Sequence, residues 1–132
     1  MKPSILFLFI LLLFSACRKA TEAPSLKSII KQGSWYVNLM KDNGTAYTSS
    51  YSGWKFSFKT DSTLTVTNGV DSCSGTWRED VERDKFLLDI ESSNLGLIWI
   101  SQEWDIKLKT PSRVIFMDNK YNPSMELQLT KY

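Results

Sequence analysis

From Trp35 onward, apolar and polar residues alternate with a period of two in one short stretch after another. Trp54, Phe56 and Phe58 alternate with Lys55, Ser57 and Lys59, and Leu64 and Val66 with Thr63, Thr65 and Thr67. Trp104, Ile106 and Leu108 alternate with Asp105, Lys107 and Lys109, and Met125, Leu127 and Leu129 with Glu126, Gln128 and Thr130. Phe86, Leu88 and Ile90 share a face opposite Lys85, Asp89 and Glu91, with Leu87 on the polar side. Successive side chains of a strand point to opposite faces, so this pattern predicts half-buried antiparallel strands. Eight are expected, over 34–41, 53–60, 62–68, 73–79, 85–91, 101–109, 112–118 and 124–131. Turn chemistry separates most of them: Asp42-Asn43-Gly44, Asp61-Ser62, Asn68-Gly69, Pro111-Ser112 and Asn122-Pro123. Short strands at near-even spacing form a meander, and a meander of eight closes into an up-and-down barrel without exposed edges. Two stretches read less simply. "SNLGLIWIS" (93–101) fits a helical turn or an extension of the sixth strand, and "RVIFM" (113–117) is apolar on both faces.

Upstream the period changes. "SLKSIIKQG" (25–33) predicts one short helix: Ser25 as N-cap, Leu26, Ile29 and Ile30 on one face, and Gly33 as the left-handed residue that ends it. "RKATEAP" (18–24) reads as a polar tether ending in Pro24. Before it, Lys2 precedes an apolar run from Ile5 to Phe14. A membrane-spanning helix needs about 20 apolar residues, so this run fits the core of a secretory signal. Its ending, Phe14-Ser15-Ala16-Cys17, resembles a bacterial lipobox, in which cleavage leaves the cysteine first and acylated. A thiol is the strong nucleophile that can accept a diacylglyceryl group, and more than one acyl chain is needed for stable anchoring. The chain therefore divides into a signal peptide (1–16), a tether lipidated at Cys17 (17–24) and a barrel domain (25–132). Arg18 and Lys19 would sit among anionic headgroups.

Without Lys2, the 16 basic residues fall to 15 against 14 acidic ones. No basic patch interleaved with aromatics is present, so a nucleic-acid partner is not expected. With Cys17 lipidated, Cys73 has no partner for an intrachain disulfide. The chain contains no histidine, which removes Ser-His-Asp and Cys-His nucleophiles and nearly every catalytic zinc site. Glycine-rich phosphate loops are absent. Neither an enzyme nor a cofactor or metal site is expected. The carboxylates of "REDVERDK" (78–85) alternate with Arg78, Arg83 and Lys85, and read as a solvated hairpin loop. Asp61-Ser62-Thr63 resembles the O-glycosylation acceptor of Bacteroidota-type secreted proteins.

Trp35, Trp54, Trp77 and Trp104 can point into one barrel with Phe56, Phe58, Phe86 and Phe116. An eight-stranded barrel is just wide enough to be filled by such side chains or to hold one small ligand, and both readings stand at this point. The segment "KDNGTAYTSSYSG" (41–53), with Tyr47 and Tyr51, is longer than a hairpin needs and is either a surface loop or a binding loop.

The acylated cysteine, the short helix running into Gly33-Ser34-Trp35 and the eight strands together resemble the small lipocalin-like lipoproteins of Bacteroidota-type bacteria. Gly33-x-Trp35 looks like the first lipocalin motif, whose Trp closes one end of the barrel under the N-terminal helix, with Lys131 as candidate basic partner. "SGTWRED" (74–80) and "WDIKLKTPSRVIFMDN" (104–119) resemble recurrent blocks of that group. The resemblance implies an eight-stranded lipocalin-like barrel binding a small hydrophobic molecule, with the eight rings as walls and Tyr47 and Tyr51 on a lid. The alternative is a filled barrel that serves as a protein-interaction or inhibitor module of the cell envelope. Arg18 after the cysteine, with no acidic run behind it, points to the periplasmic face of the outer membrane.

Overall fold

A computed structural model describes residues 24–118 and 125–132. The expected signal peptide, Cys17 and the expected turn at Asn122-Pro123 lie outside the described residues. The elements are α1 (Leu26–Ile30), β1 (Trp35–Asp42), β2 (Thr45–Ala46), a 3-10 turn (Thr48–Tyr51), β3 (Lys55–Phe58), β4 (Thr63–Thr67), β5 (Ser72–Asp80), β6 (Lys85–Glu91), α2 (Leu95–Ile100), β7 (Glu103–Lys109), β8 (Arg113–Asp118) and β9 (Met125–Lys131). From β3 to β9 each strand pairs antiparallel with the next, and β9 returns to β1, with Trp35 opposite Lys131 and Lys41 opposite Glu126. β1 meets β3 at Trp35 and Phe56. Eight strands thus close a barrel, as the alternation predicts. β2 is a ninth strand on β1, made within the segment read from the sequence as a loop; two residues are too few to show a period.

Local irregularities explain where the alternation slips. A register shift between Val37 and Leu39 moves the inward set from Trp35 and Val37 to Met40, leaving Leu39 half-buried. Inserting one residue flips the faces that follow it. A second shift between Ile106 and Leu108 turns Leu108 partly outward. "RVIFM" resolves into Val114 and Phe116 inward, with Ile115 and Met117 half-buried on the outer wall. "SNLGLIWIS" resolves into a helix: the Asn94 side chain accepts a hydrogen bond from the Leu97 amide, and Leu97 and Ile100 are buried.

The two helices close opposite ends. Leu26, Ile29 and Ile30 of α1 are buried at the end near the β5–β6 turn, where the Leu26 and Lys27 amides donate to the two Glu79 carboxylate oxygens at 3.0 and 3.1 Å. That carboxylate satisfies amide donors that a first helical turn leaves unpaired. α2 sits past the end of β6, at the other mouth. One device fastens both plugs. The Trp35 indole N–H donates to the Ile30 carbonyl at 2.7 Å, and the Trp104 indole N–H to the Ile100 carbonyl at 2.9 Å. Each indole thereby occupies the last carbonyl of the helix before its strand. Gly33 (φ +73°) turns the chain out of α1 and leaves room for Lys131, whose Cε lies 2.8 Å from where a Cβ would stand. Every element of the described residues lies within 25–132, and the eight barrel strands are among them.

Candidate functional site

The rings expected to line the barrel do converge in its core, and they meet one another there. Phe86 stacks on Phe116 with centroids 4.7 Å apart and planes 10° from parallel. Phe58 meets Phe86 at 6.0 Å and Trp77 edge-on at 5.8 Å, and Trp77 lies 6.3 Å from Phe86. Trp35, Phe56 and Trp104 are fully buried, and Trp54 nearly so. The indole N–H groups of Trp35, Trp77 and Trp104 are committed to structure. That of Trp77 donates to the Lys59 and Thr63 carbonyls across the β3–β4 turn, at 3.1 and 3.0 Å.

The expected lid is part of the plug at the α2 mouth. The Tyr47 amide donates to the Met40 carbonyl at 2.7 Å, and the Thr48 hydroxyl accepts from the Met40 amide at 3.1 Å, which ties residues 47 and 48 to β1. Tyr51 is buried and its hydroxyl donates to the Gly96 carbonyl at 2.8 Å. A Cβ at Gly96 would make ordinary contact with the Tyr51 ring at 3.6 Å and would sit tight against Asn94 Oδ1 at 3.2 Å. Burial pushes the Tyr51 phenol up from 10.0 to about 12. The raised value means that folding favours the protonated phenol. Its contribution to stability is complete below about pH 10 and is lost as pH rises toward 12. Chemical denaturation across pH 9–12 should therefore show a fall in stability in that window that is smaller in Tyr51→Phe; equal falls in both proteins would remove Tyr51 as its source.

α2 departs from the usual division of a helix into an apolar and a polar face. Leu97 and Ile100 point into the barrel, while Leu95 is 81%, Ile98 47% and Trp99 36% exposed. Tyr47, 39% exposed, meets Trp99 edge-on with centroids 5.0 Å apart. A helix that is apolar all round is normally covered on all sides. Val70 is exposed at the tip of the β4–β5 turn of the same mouth, whereas exposed Val81 and Tyr132 stand apart from it. Beside α2 lies an open apolar depression of about 510 Å³ lined by Ser50, Tyr51, Leu95, Gly96, Ile98 and Trp99. A more polar groove of about 440 Å³ adjoins it, lined by Trp54, Asp71, Cys73, Glu91, Ser92 and Asn94 among others. A third depression of about 510 Å³ lies against the β5–β6–β7 wall, where half-buried Leu87 sits with Thr76, Arg78, Asp89 and Glu103.

Sequence reasoning missed Leu95, Ile98 and Trp99 as site residues. The available signal was Asn94, a capping residue directly before an apolar run with no polar position. The "REDVERDK" turn is the expected solvated hairpin: Arg83 bridges Asp80 at 2.8 Å and Glu103 at 3.2 Å, and Lys85 pairs with Asp105. The Arg83 hydrogen bonds hold the Asp80 carboxyl below its ordinary range. Asp61 accepts from the Thr63 amide and hydroxyl, fixing the exposed β3–β4 turn around Ser62. Among the described residues, no group of three acidic or thiol side chains converges to hold a metal ion.

No protein-family model matches the chain, and no curated protein matches it. Among solved structures, the chain is similar to the crystal structure of a DUF4847 family protein from Bacteroides vulgatus ATCC 8482. The two share 13% sequence identity with a TM-score of 0.65, over 82% of this chain and 98% of that one. The neighbour belongs to the bacterial group that the lipoprotein resemblance indicates. At this identity the likeness is one of fold, an all-β closed barrel of eight antiparallel strands, to which the described residues of this chain add one short strand and two short helices.

Proposed function

We propose that this chain is a lipid-anchored envelope protein that works as a protein-interaction module through its α2 mouth, with the barrel as a filled scaffold. The observation that carries this reading is the placement of apolar surface. Phe58, Trp77, Phe86 and Phe116 are packed against one another in the core, while Leu95, Ile98, Trp99 and Tyr47 offer apolar surface outside it. Contiguous apolar exposure on a soluble face marks an interaction site. The anchor is supported by the sequence Phe14-Ser15-Ala16-Cys17 behind its short apolar run. A small hydrophobic ligand within the barrel fits less well, because rings and plugs already occupy the space it would need. The depression beside Tyr51 and Ile98, at about 510 Å³, has the size of a small-molecule site and is where such a ligand would sit instead.

Native mass spectrometry on residues 25–132, purified gently from a bacterial host, tests the scaffold reading. The expected spectrum is a clean mass of the chain alone. A co-purifying apolar molecule released on activation, and retained in Trp99→Ser, would place a ligand in the interior and overturn it. For the anchor, Cys17→Ser should shift the protein out of the membrane fraction; persistence there would sink the lipidation assignment.

A further inference from the structure

The apolar depression and the polar groove meet at Asn94 and Leu95, so the mouth presents two unlike surfaces side by side. One consists of Tyr51, Leu95, Ile98 and Trp99. The other carries Asp71 and Glu91, both exposed, and no ion pair engages either carboxylate among the described residues. Two unneutralised carboxylates along one groove attract a cation, and the neighbouring apolar face rewards a large side chain attached close to it. We propose that this composite mouth binds a protein segment in which a bulky apolar residue stands beside a lysine or arginine. The apolar side chain seats against Ile98 and Trp99, and the cation stands between Asp71 and Glu91. This deepens the interaction-module reading and rests on it.

A bilayer is the other apolar surface that a Leu-Ile-Trp face meets, and two features argue against it. Acidic groove walls are repelled by anionic headgroups. The tether also leaves from the wrong end. It enters α1, which is held by Glu79, whereas Ser72 at the other end of β5 lies roughly 23 Å away by strand rise. Residues 17–24 reach at most about 28 Å when fully stretched, so nearly all of that length would be spent running back along the barrel. An anchor at Cys17 therefore turns the α2 mouth toward the aqueous space.

Selection of displayed random dodecapeptides on immobilised residues 25–132 tests the proposal, with circular dichroism confirming that each surface variant is folded. Enriched peptides should pair Leu, Ile, Phe or Trp with an adjacent Lys or Arg. Their affinity should fall by about tenfold in Trp99→Ser. Changing Asp71→Lys together with Glu91→Lys should reverse the charge preference toward Asp and Glu. Apolar peptides without a basic preference would overturn the two-part recognition while leaving the α2 mouth as the working surface. Enrichment independent of Trp99, or none, would overturn both. Sedimentation of the unacylated domain with phosphatidylglycerol vesicles, abolished by Trp99→Ser, would assign the mouth to a lipid surface and overturn the peptide proposal.

Discussion

Phe86→Ala should lower the free energy of unfolding by about 3–5 kcal/mol, the largest loss expected from a single truncation in this barrel. Phe86 is fully buried at the centre of the ring cluster, stacked on Phe116 and in contact with Phe58 and Trp77. Removing it strips three rings of a neighbour at once. The closed sheet cannot collapse into the gap, because its radius is set by strand number and stagger rather than by one side chain. For a domain of this size, the loss corresponds to a fall in Tm on the order of 15–30 °C. Urea denaturation followed by far-UV circular dichroism measures it. A loss below about 1 kcal/mol would mean that the rings line pre-existing space, since the cavity cost of truncation would then be largely absent.

Gly75→Ala should be nearly as damaging for the opposite reason. Gly75 lies in β5 between Leu64 of β4 and Ile90 of β6, in the middle of the sheet. A Cβ there would stand 2.2 Å from the Asp89 carbonyl oxygen and 3.0 Å from the Ile90 Cα. Both are backbone atoms of the neighbouring strand, so no side chain can swing aside; the β5–β6 ladder itself must open. Overpacking that displaces backbone costs on the order of 3 kcal/mol. Thr76→Ala, on the outward face one residue later, should stay within about 0.5 kcal/mol and serves as the control. If both alanines behave alike, the close approach at Gly75 is not what holds the strands in register.

How much of this was legible in the sequence depended on the kind of information each residue carries. The period of two in β3, β4 and β9, and in β7 as far as Ile106, reports which face a side chain takes, and there it was read correctly. Face is not volume, however. Alternation brought Phe58, Phe86 and Phe116 to one interior without saying whether they would touch, which depends on barrel radius and stagger. The register shifts at Val37/Leu39 and Ile106/Leu108 were invisible because a bulge is set by tertiary closure. α2 was ambiguous because Leu95–Ile100 has no polar residue to reveal a helical period. The same lack of polar residues makes its outward face the candidate site. Tyr51 was placed on a lid by the family resemblance, whereas it is buried with its hydroxyl on the Gly96 carbonyl, a contact that no local pattern encodes.

The pairing of β9 with β1 has a further consequence for the order of assembly. Trp35 finds its ladder partner at Lys131 and Lys41 at Glu126, so the first strand of the barrel waits for the last. Until β9 arrives, β1 keeps an open edge toward its missing neighbour, and the interior rings lie behind an incomplete wall. Such distant pairing slows folding, typically into the millisecond-to-second range, because the entropy of a long loop is lost before its contacts form. The nascent chain therefore has no stage at which most of a barrel is already a barrel. On the proposed envelope location this delay is useful, since a polypeptide that cannot finish folding before its final strand emerges stays threadable until then.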